Sequence, residues 1–361
     1  MDAIQNTRGL ELQVVVSSGM LLERFGQAAS VVKEDGFKIS EEVYTSIEGE
    51  NPLTMTQSVA VGLMQLAPVI NRLNPDVVIT IGDRYETIAT AIAGAYMNKI
   101  VAHVQGGELT GTIDESVRHA ITKLSHLHFT ATQKSRERVI RMGENPKYVF
   151  NTGCPSIDLV RNSDLSRSRL VKTKLGGLGQ VDLAKEYVVV MQHPVTTEFG
   201  SGFDQMRETL EAIKSLKMQT LMLWPNPDAG SDEISKAIRL FREDRPDFPV
   251  QFFKNIEPED FAAILNNASC LIGNSSSFIR EGSFLGTPAV EIGSRQTNRE
   301  HAANVIYASY LAQDILKKVK AQIKHGRYKS SNIYGDGRAG EKIAEYIAGT
   351  NPPVQKTFYE A

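Results

Sequence analysis

Short runs rich in valine and isoleucine recur along the chain, each followed by a longer segment of helical periodicity. This alternation restricts the fold more than any other feature. In the first half the runs are "LELQVVV", "DVVITIG", "KIVAHVQ" and "YVFNTG", with helical patterns such as "TMTQSVAVGLMQLAPVINRL" and "RYETIATAIAGAYM" between them. A strand that is apolar on both faces must be covered on both, and parallel neighbours need long crossovers. The pattern therefore predicts an α/β fold with mostly parallel sheets.

After "GCPSIDLV" the alternation lapses, because residues 162–185 are polar and contain a Gly-Gly pair. It resumes with "YVVVMQHP", "QTLMLWPN", "VQFFKN", "ASCLIGNSS" and "PAVEIGS", with helices expected over 203–215, 231–243, 258–267 and 276–285. The organisation expected is a Rossmann-like domain over 1–161, a linker region over 162–185, a second Rossmann-like domain over 186–335, and a C-terminal helix and tail over 336–361. The tail after "IAGTNPPVQ" is expected to be loosely held, as termini often are. A doubly wound domain usually opens with a strand whose following loop faces the ligand. This chain opens in a helical segment instead, so that strand and loop are expected to be missing.

A length of 361 residues suits two domains. The formal net charge of -2 gives no electrostatic reason to expect nucleic acid or an anionic membrane as partner. Two cysteines, Cys154 and Cys270, are too few for a disulfide framework or a zinc cluster and point to a reducing cytoplasm. No apolar run reaches about 18 residues, so no membrane-spanning helix is expected. The polar N-terminus is unlike a signal peptide.

In open α/β sheets, ligands bind beyond the carboxyl ends of the strands. Polar residues gather there: "GDR" after "VVITI", "QGGELTGTIDESVRH" after "KIVAHV", "QHPVTTE" after "YVVVM", "PNPDAGS" after "TLMLW", "GNSSS" after "CLI" and "GSRQTNRE" after "AVEI". Asp83 is either an N-cap or an acid facing a ligand. Arg84 is either a phosphate contact or a solvated first-turn residue. Thr112 and Glu115 are spaced as a capping box, with Ile113, Val117, Ile121 and Leu124 as the buried stripe behind it. Asp114, at the second helical position, would be held ionised by the helix dipole. It is a surface acid or a base aimed into a cleft, and glycines 106, 107 and 111, which let backbone approach a ligand, favour the cleft.

His193 precedes Pro194 at a strand end and reads as a phosphate contact or proton-transfer group, against a purely structural role. His119, His126 and His128 read as packing or surface residues, and the histidine and cysteine spacing is not a metal motif. Asn274, Ser275 and Ser276 lead from a strand into a helix and offer hydroxyls and free N–H groups to a diphosphate. Glu281 lies about one and a half turns further on, where a carboxylate could accept from ribose hydroxyls. There is no GxSxG elbow, no GxxxxGK[ST] loop and no GxGxxG cofactor fingerprint after a strand.

Together "GDR", "GGELTGTIDESVRHAITKL", "GCPS", "HPVTTEF", "PNPDAGS", "GNSSSFIREGSFLGTP", "GSRQTNRE" and "IYGDG" resemble the UDP-N-acetylglucosamine 2-epimerases, specifically the hydrolysing branch that feeds sialic acid synthesis. The likeness runs from about residue 10 to 345. It implies a two-domain GT-B fold with the active site between the domains, no metal, no nicotinamide, a UDP-sugar substrate, and a homodimer or homotetramer. It places the carboxylate pair on Asp83 and Asp114 and the cleft histidine on His193. The UDP-binding positions fall on Arg84, Asn226, Ser275, Ser276, Glu281 and Arg295. Two departures stand out. The family commonly carries a third acid where this chain has Gln105, which cannot transfer protons but can orient a substrate hydroxyl or acetamide; Glu108, three residues later, is a further substrate-binding candidate. The family's opening strand and its Arg-bearing loop precede anything present here. Alternatives within the resemblance are UDP-2,4-diacetamido-2,4,6-trideoxyglucose as substrate, on the route to legionaminic acid, and a catalytically impaired UDP-sugar binding homologue.

Overall fold

The computed structural model describes residues 1–22, 29–82, 84–173, 175–226 and 228–360. It divides into two compact units: Met1–Asp158 with Tyr334–Ala361, and Leu159–Ile333. The first opens with α1 (Asp2–Gln5), β1 (Val14–Ser17), α2 (Ala29–Glu34) and β2 (Ile39–Val43). Then come α3 (Pro52–Leu73), β3 (Val77–Ile81), α4 (Thr87–Tyr96), β4 (Ile100–Val104), α5 (Ile113–Leu124), β5 (Leu127–Thr130), α6 (Gln133–Arg141) and β6 (Val149–Asn151). Every pairing is parallel, but the described strands form two sheets rather than one, β1-β2 and β3-β4-β5-β6. The strand β2, "ISEEV", carries two adjacent glutamates and gave no apolar signal in the sequence.

The helix α3 corrects one expectation. It starts at an Asn51 cap reciprocated by Thr54, has Pro at its first turn, and carries no charge between Asn51 and Asn71. By length and composition it is long and apolar enough to cross a membrane. Its Leu66, Val69 and Ile70 pack with Val78, Ala89 and Ala93 of β3 and α4.

The unit boundary falls within α7 (Pro155–Asn162). The second unit continues with α8 (Arg167–Lys172), β7 (Leu178–Gly179), β8 (Tyr187–Met191), α9 (Gly202–Leu216), β9 (Gln219–Leu223), α10 (Ser231–Asp244) and β10 (Val250–Phe253). It ends with α11 (Pro258–Asn267), β11 (Cys270–Gly273), α12 (Ser276–Leu285), β12 (Ala289–Ile292), β13 (Val305–Ala308) and α13 (Ala312–His325). The sheet order is β13-β12-β11-β8-β9-β10-β7, parallel except for β7. Side chains from β8 to β12 meet Met206, Leu210 and Ile213 of α9, Ile234 and Ile238 of α10, and Ile315 and Val319 of α13.

Residues 162–185 are not a bare linker. Leu170 of α8 is fully buried, and Arg169 pairs with Asp260 of α11 at 2.7 Å. The glycines in this stretch allow close strand pairing: a β-carbon on Gly177 would lie 2.3 Å from Phe252 O, and one on Gly179 2.2 Å from Val250 O.

The chain then returns to the first unit as α14 (Ala339–Gly349), whose first amides are received by Asp158 Oδ1 and Oδ2 at 2.8 and 2.6 Å. Tyr346 stacks on Phe150. The tail that follows is fastened, contrary to expectation. Lys356 Nζ donates to the Ser125 carbonyl at the end of α5 and to Glu144 Oε2, both at 2.7 Å. Val354 O meets His126 Nε2 at 2.8 Å, and Tyr359 N donates to Gly143 O at 2.9 Å. A cation at a helix C-terminus and a buried ion pair hold the segment. Glu144 also contacts His128, which lies within β5 rather than past a helix.

Candidate active site

In the first unit, the ends of β3 and β4 bring Gly82 beside the start of "QGG". Gly82 N donates to Val104 O at 2.9 Å, and the Gly82 carbonyl meets His103 Nε2 at 2.9 Å. Asp83 lies outside the described residues. Arg84 is turned toward Glu86, its Nε 2.7 Å from Oε1. Gln105 continues the ladder by donating to Phe129 O at 2.8 Å, then adopts a left-handed φ of +69°. That conformation costs a non-glycine residue about 1–2 kcal/mol and often marks a functional turn.

The two glycines that follow serve packing. A β-carbon on Gly107 would lie 2.4 Å from Ser135 O, and one on Gly106 3.0 Å from His103 Nδ1. Their close approaches are therefore to α6 and to β4, where a ligand was expected. Glu108 is buried, and its carbonyl accepts from Arg118 Nη1 at 2.7 Å.

The start of α5 departs from the expected capping box. Thr112 Oγ1 accepts from Asp114 N at 3.3 Å and donates to Asp114 Oδ2 at 2.9 Å. Glu115 Oε2 accepts from Thr110 N at 2.6 Å, so it ties down the loop before the cap and not the cap itself. The buried stripe is shifted as well: Ile113 is exposed, whereas Arg118 and Ile121 are fully buried. Asp114 stays half-buried on the first turn.

Burial pushes the His103 imidazole down to about 4. It also lowers His126 and His128. Burial alone would raise Glu144, but His128, Lys123 and Lys356 outweigh it and hold the carboxyl at about 2. All four groups sit below their unfolded values, so the unfolded chain takes up protons first. The stability they contribute is present above about pH 6.5 for the histidines. It is lost as pH falls toward about 4. For His103 we expect a loss of at most about 1.4 kcal/mol per pH unit across that window, read as falling urea midpoints at about pH 7, 6 and 5. Midpoints that stay constant over that range, or an unchanged slope in His103→Gln, would contradict this.

The second unit builds a tighter constellation. Its strand order reverses between β8 and β11, and a doubly wound sheet opens its ligand crevice at that point. His193 follows β8 and Asn274 follows β11. The Asn274 side chain accepts from His193 N at 2.7 Å and donates to His193 O at 2.8 Å, joining the two loops across the crevice. Gly273 is required here, because at φ +142° a β-carbon would lie 2.0 Å from Met191 O. His193 Nδ1 accepts from Asn226 N at 3.0 Å, which leaves its proton on Nε2 as a donor.

Ser275 is the N-cap of α12, its Oγ accepting from Ser277 N at 3.3 Å, and Ser276 begins the helix. Glu281 sits half-buried in the second turn. Arg295 Nη1 reaches the Asn274 carbonyl at 3.4 Å, and its Nη2 lies 3.8 Å from Asp228 Oδ2. Asn226, Asn274, Ser275, Ser276, Arg295 and His193 thus belong to one local network or the turns beside it. A helix N-terminus, an imidazole N–H and a guanidinium there suit a diphosphate.

Several residues of this region were missed. Gln296 Nε2 donates to Asn274 O at 2.9 Å beside Arg295. Glu198 joins Ser294, Tyr310 and Gln205. Glu291 is buried in β12 with neither carboxylate oxygen hydrogen-bonded, and burial raises its carboxyl well above the usual range against the pull of Arg299 and Arg295. An acid inside the apolar run "AVEI" was the available signal for Glu291.

The paired α/β units, the second with a nucleotide-type switch point, are those of a GT-B fold. Solved structures agree. The S. aureus MnaA-UDP co-structure matches with a TM-score of 0.75 at 20% identity, covering 96% of this chain and 90% of that one. The Neisseria meningitidis UDP-GlcNAc 2-epimerase bound to UDP-GlcNAc matches at 0.74 and 17%, covering 96% and 94%. The family model for UDP-N-acetylglucosamine 2-epimerase matches residues 2–348. A UDP-N,N'-diacetylbacillosamine 2-epimerase (hydrolyzing) of Legionella pneumophila is 33% identical over 96% of this chain and 90% of its own length. A UDP-N-acetylglucosamine 2-epimerase of Neisseria meningitidis is 29% identical over 99% and 93%. The chain belongs to the UDP-N-acetylglucosamine 2-epimerase family.

Proposed function

We propose that this chain is a hydrolysing 2-epimerase that converts UDP-N-acetylglucosamine and water to N-acetylmannosamine and UDP. The observation that carries the reading is similarity along nearly the whole chain to a relative named as hydrolysing, together with an acid, Asp114, on the first turn of α5. In this reading the second unit holds UDP. The α12 N-terminus, His193 Nε2–H and Arg295 take the diphosphate, and Glu281 takes ribose hydroxyls. Asp83 and Asp114 handle the protons. One carboxylate removes the C2 proton while the C1–O bond to UDP breaks, leaving a glycal. Water then adds its oxygen to C1, and a proton is delivered to C2 from the opposite face. Free N-acetylmannosamine results, with the two UDP-sugar fragments and one water accounted for.

A second reading changes only the sugar. The Legionella relative at 33% identity and a Campylobacter jejuni GDP/UDP-N,N'-diacetylbacillosamine 2-epimerase (hydrolyzing) at 28% favour UDP-2,4-diacetamido-2,4,6-trideoxyglucose.

One incubation in deuterated water, followed by proton NMR and repeated with each sugar, tests both. The expected products are UDP and the free 2-epimer deuterated at C2. The substrate that turns over faster identifies the sugar. A sugar still attached to UDP would indicate a non-hydrolysing epimerase. Free N-acetylglucosamine with its C2 proton retained would sink the elimination mechanism.

A further inference from the structure

We propose that Cys154 is a positioning residue for Gln105. The buried thiol fixes the Gln105 carboxamide so that its oxygen is offered as a hydrogen-bond acceptor to the sugar of a UDP-sugar. The proposal rests on the reading of this chain as one that binds UDP-sugars; it does not depend on hydrolysis.

Gln105 is only 8% exposed and stands at the carboxyl end of β4 in a left-handed conformation. Its Nε2 donates to Cys154 Sγ at 3.0 Å across 49 residues of sequence. Cys154 is fully buried, and its Sγ lies 3.0 Å from Ser156 Oγ. The thiol is anchored through the backbone as well. Cys154 N donates to Tyr334 O at 2.7 Å, and Gly153 is packed so closely on Gly335 that a β-carbon would lie 2.9 Å from its Cα.

With its N–H spent on sulfur, the amide shows its other end outward. A β-carbon on Gly82 would lie 3.7 Å from Gln105 Oε1, which sets that oxygen beside the turn at the end of β3. Among the described residues no group donates to Oε1. Once a bound sugar covers it, a fixed acceptor selects a ligand bearing a donor, either an acetamido N–H or a sugar hydroxyl, because an analogue lacking it leaves the oxygen unpaired. UDP alone lacks the hexose attached to the diphosphate, and with it the donor that would meet this oxygen.

The test is calorimetry on the intact chain with UDP and with C1-phosphonate analogues of the two candidate UDP-sugars. In these a methylene replaces the C1 oxygen, so UDP cannot leave. Cys154→Ala is expected to weaken binding of the sugar analogue about fivefold or more, the scale of one hydrogen bond, and to leave UDP affinity within about twofold. Gln105→Leu should reproduce that selective loss. Cys154→Ser, which keeps an acceptor for Nε2, should restore most of it, with melting temperatures reported for each variant. Affinities for UDP and analogue that fall together would show a merely structural cysteine and overturn the proposal. So would an unchanged analogue affinity in Cys154→Ala, or a wild-type chain that binds neither analogue. A chain that shows the selective loss yet releases no UDP from either sugar nucleotide supports this proposal and overturns the hydrolytic reading.

Discussion

Replacing Asp114 with asparagine is expected to lower the rate of UDP release by about 100-fold or more, the usual scale of a positioned acid or base, with UDP affinity unchanged. The substitution separates chemistry from capping. Asp114 Oδ2 accepts from Thr112 Oγ1 at 2.9 Å, and an amide oxygen can accept the same bond, so α5 should start as before. What asparagine cannot do is take or give the proton. The same change at Asp83 is expected to have an effect of the same order. Turnover of each variant is compared with calorimetric UDP binding. Near-normal turnover in Asp114→Asn would return that carboxylate to a dipole-complementing role at the helix start.

The second large effect belongs to Asn274. Its side chain satisfies both the N–H and the carbonyl of His193 inside a buried turn, and its own carbonyl receives Gln296 and Arg295. Alanine would leave two buried backbone groups unpaired at about 1–3 kcal/mol each, so a stability loss of about 2–6 kcal/mol is expected. The His193 loop would no longer be tied to the loop that starts α12, and UDP affinity should fall with it. Aspartate is the informative partner variant: it still accepts from His193 N but sets a carboxylate oxygen against His193 O. It should therefore fall between wild type and alanine. Urea denaturation and UDP calorimetry on the three proteins check this order. Equal stability of Asn274→Ala and wild type would remove Asn274 from its bridging role.

Much of the architecture was legible because strands buried on both faces have few alternatives. "YVVVM" is a run that no solvent-facing element tolerates, and all five residues of β8 are buried. The polar ends of the strands were legible for a related reason. Gly273 followed by Asn274 and Ser275 is a turn and a cap written into adjacent positions, and local rules decide both. Hence the strand-to-helix turn of the second unit could be read before its geometry was known. Where the pattern was weak, it misled. The Gly-Gly pair before β7 read as linker yet lies beside a paired strand, and β2 with its two glutamates was not among the expected strands.

The sequence by itself determined the α/β class, the parallel crossovers, the strand-end turns and the family, since each depends on residues close together in the chain or on a motif order. Only tertiary structure decided which partners distant side chains take. Gln105 finds Cys154, Lys356 finds Glu144, and Arg118 is drawn wholly inside although an amphipathic stripe put apolar residues there. The same holds for the first unit, whose described strands form two separate ladders that no strand pattern announced. The physical reason is common to all of these. A hydrogen bond or ion pair between residues far apart in sequence has no period and no spacing. It exists because packing of the intervening elements delivers two polar groups to one dry place, where each must be satisfied by whatever the fold brings near.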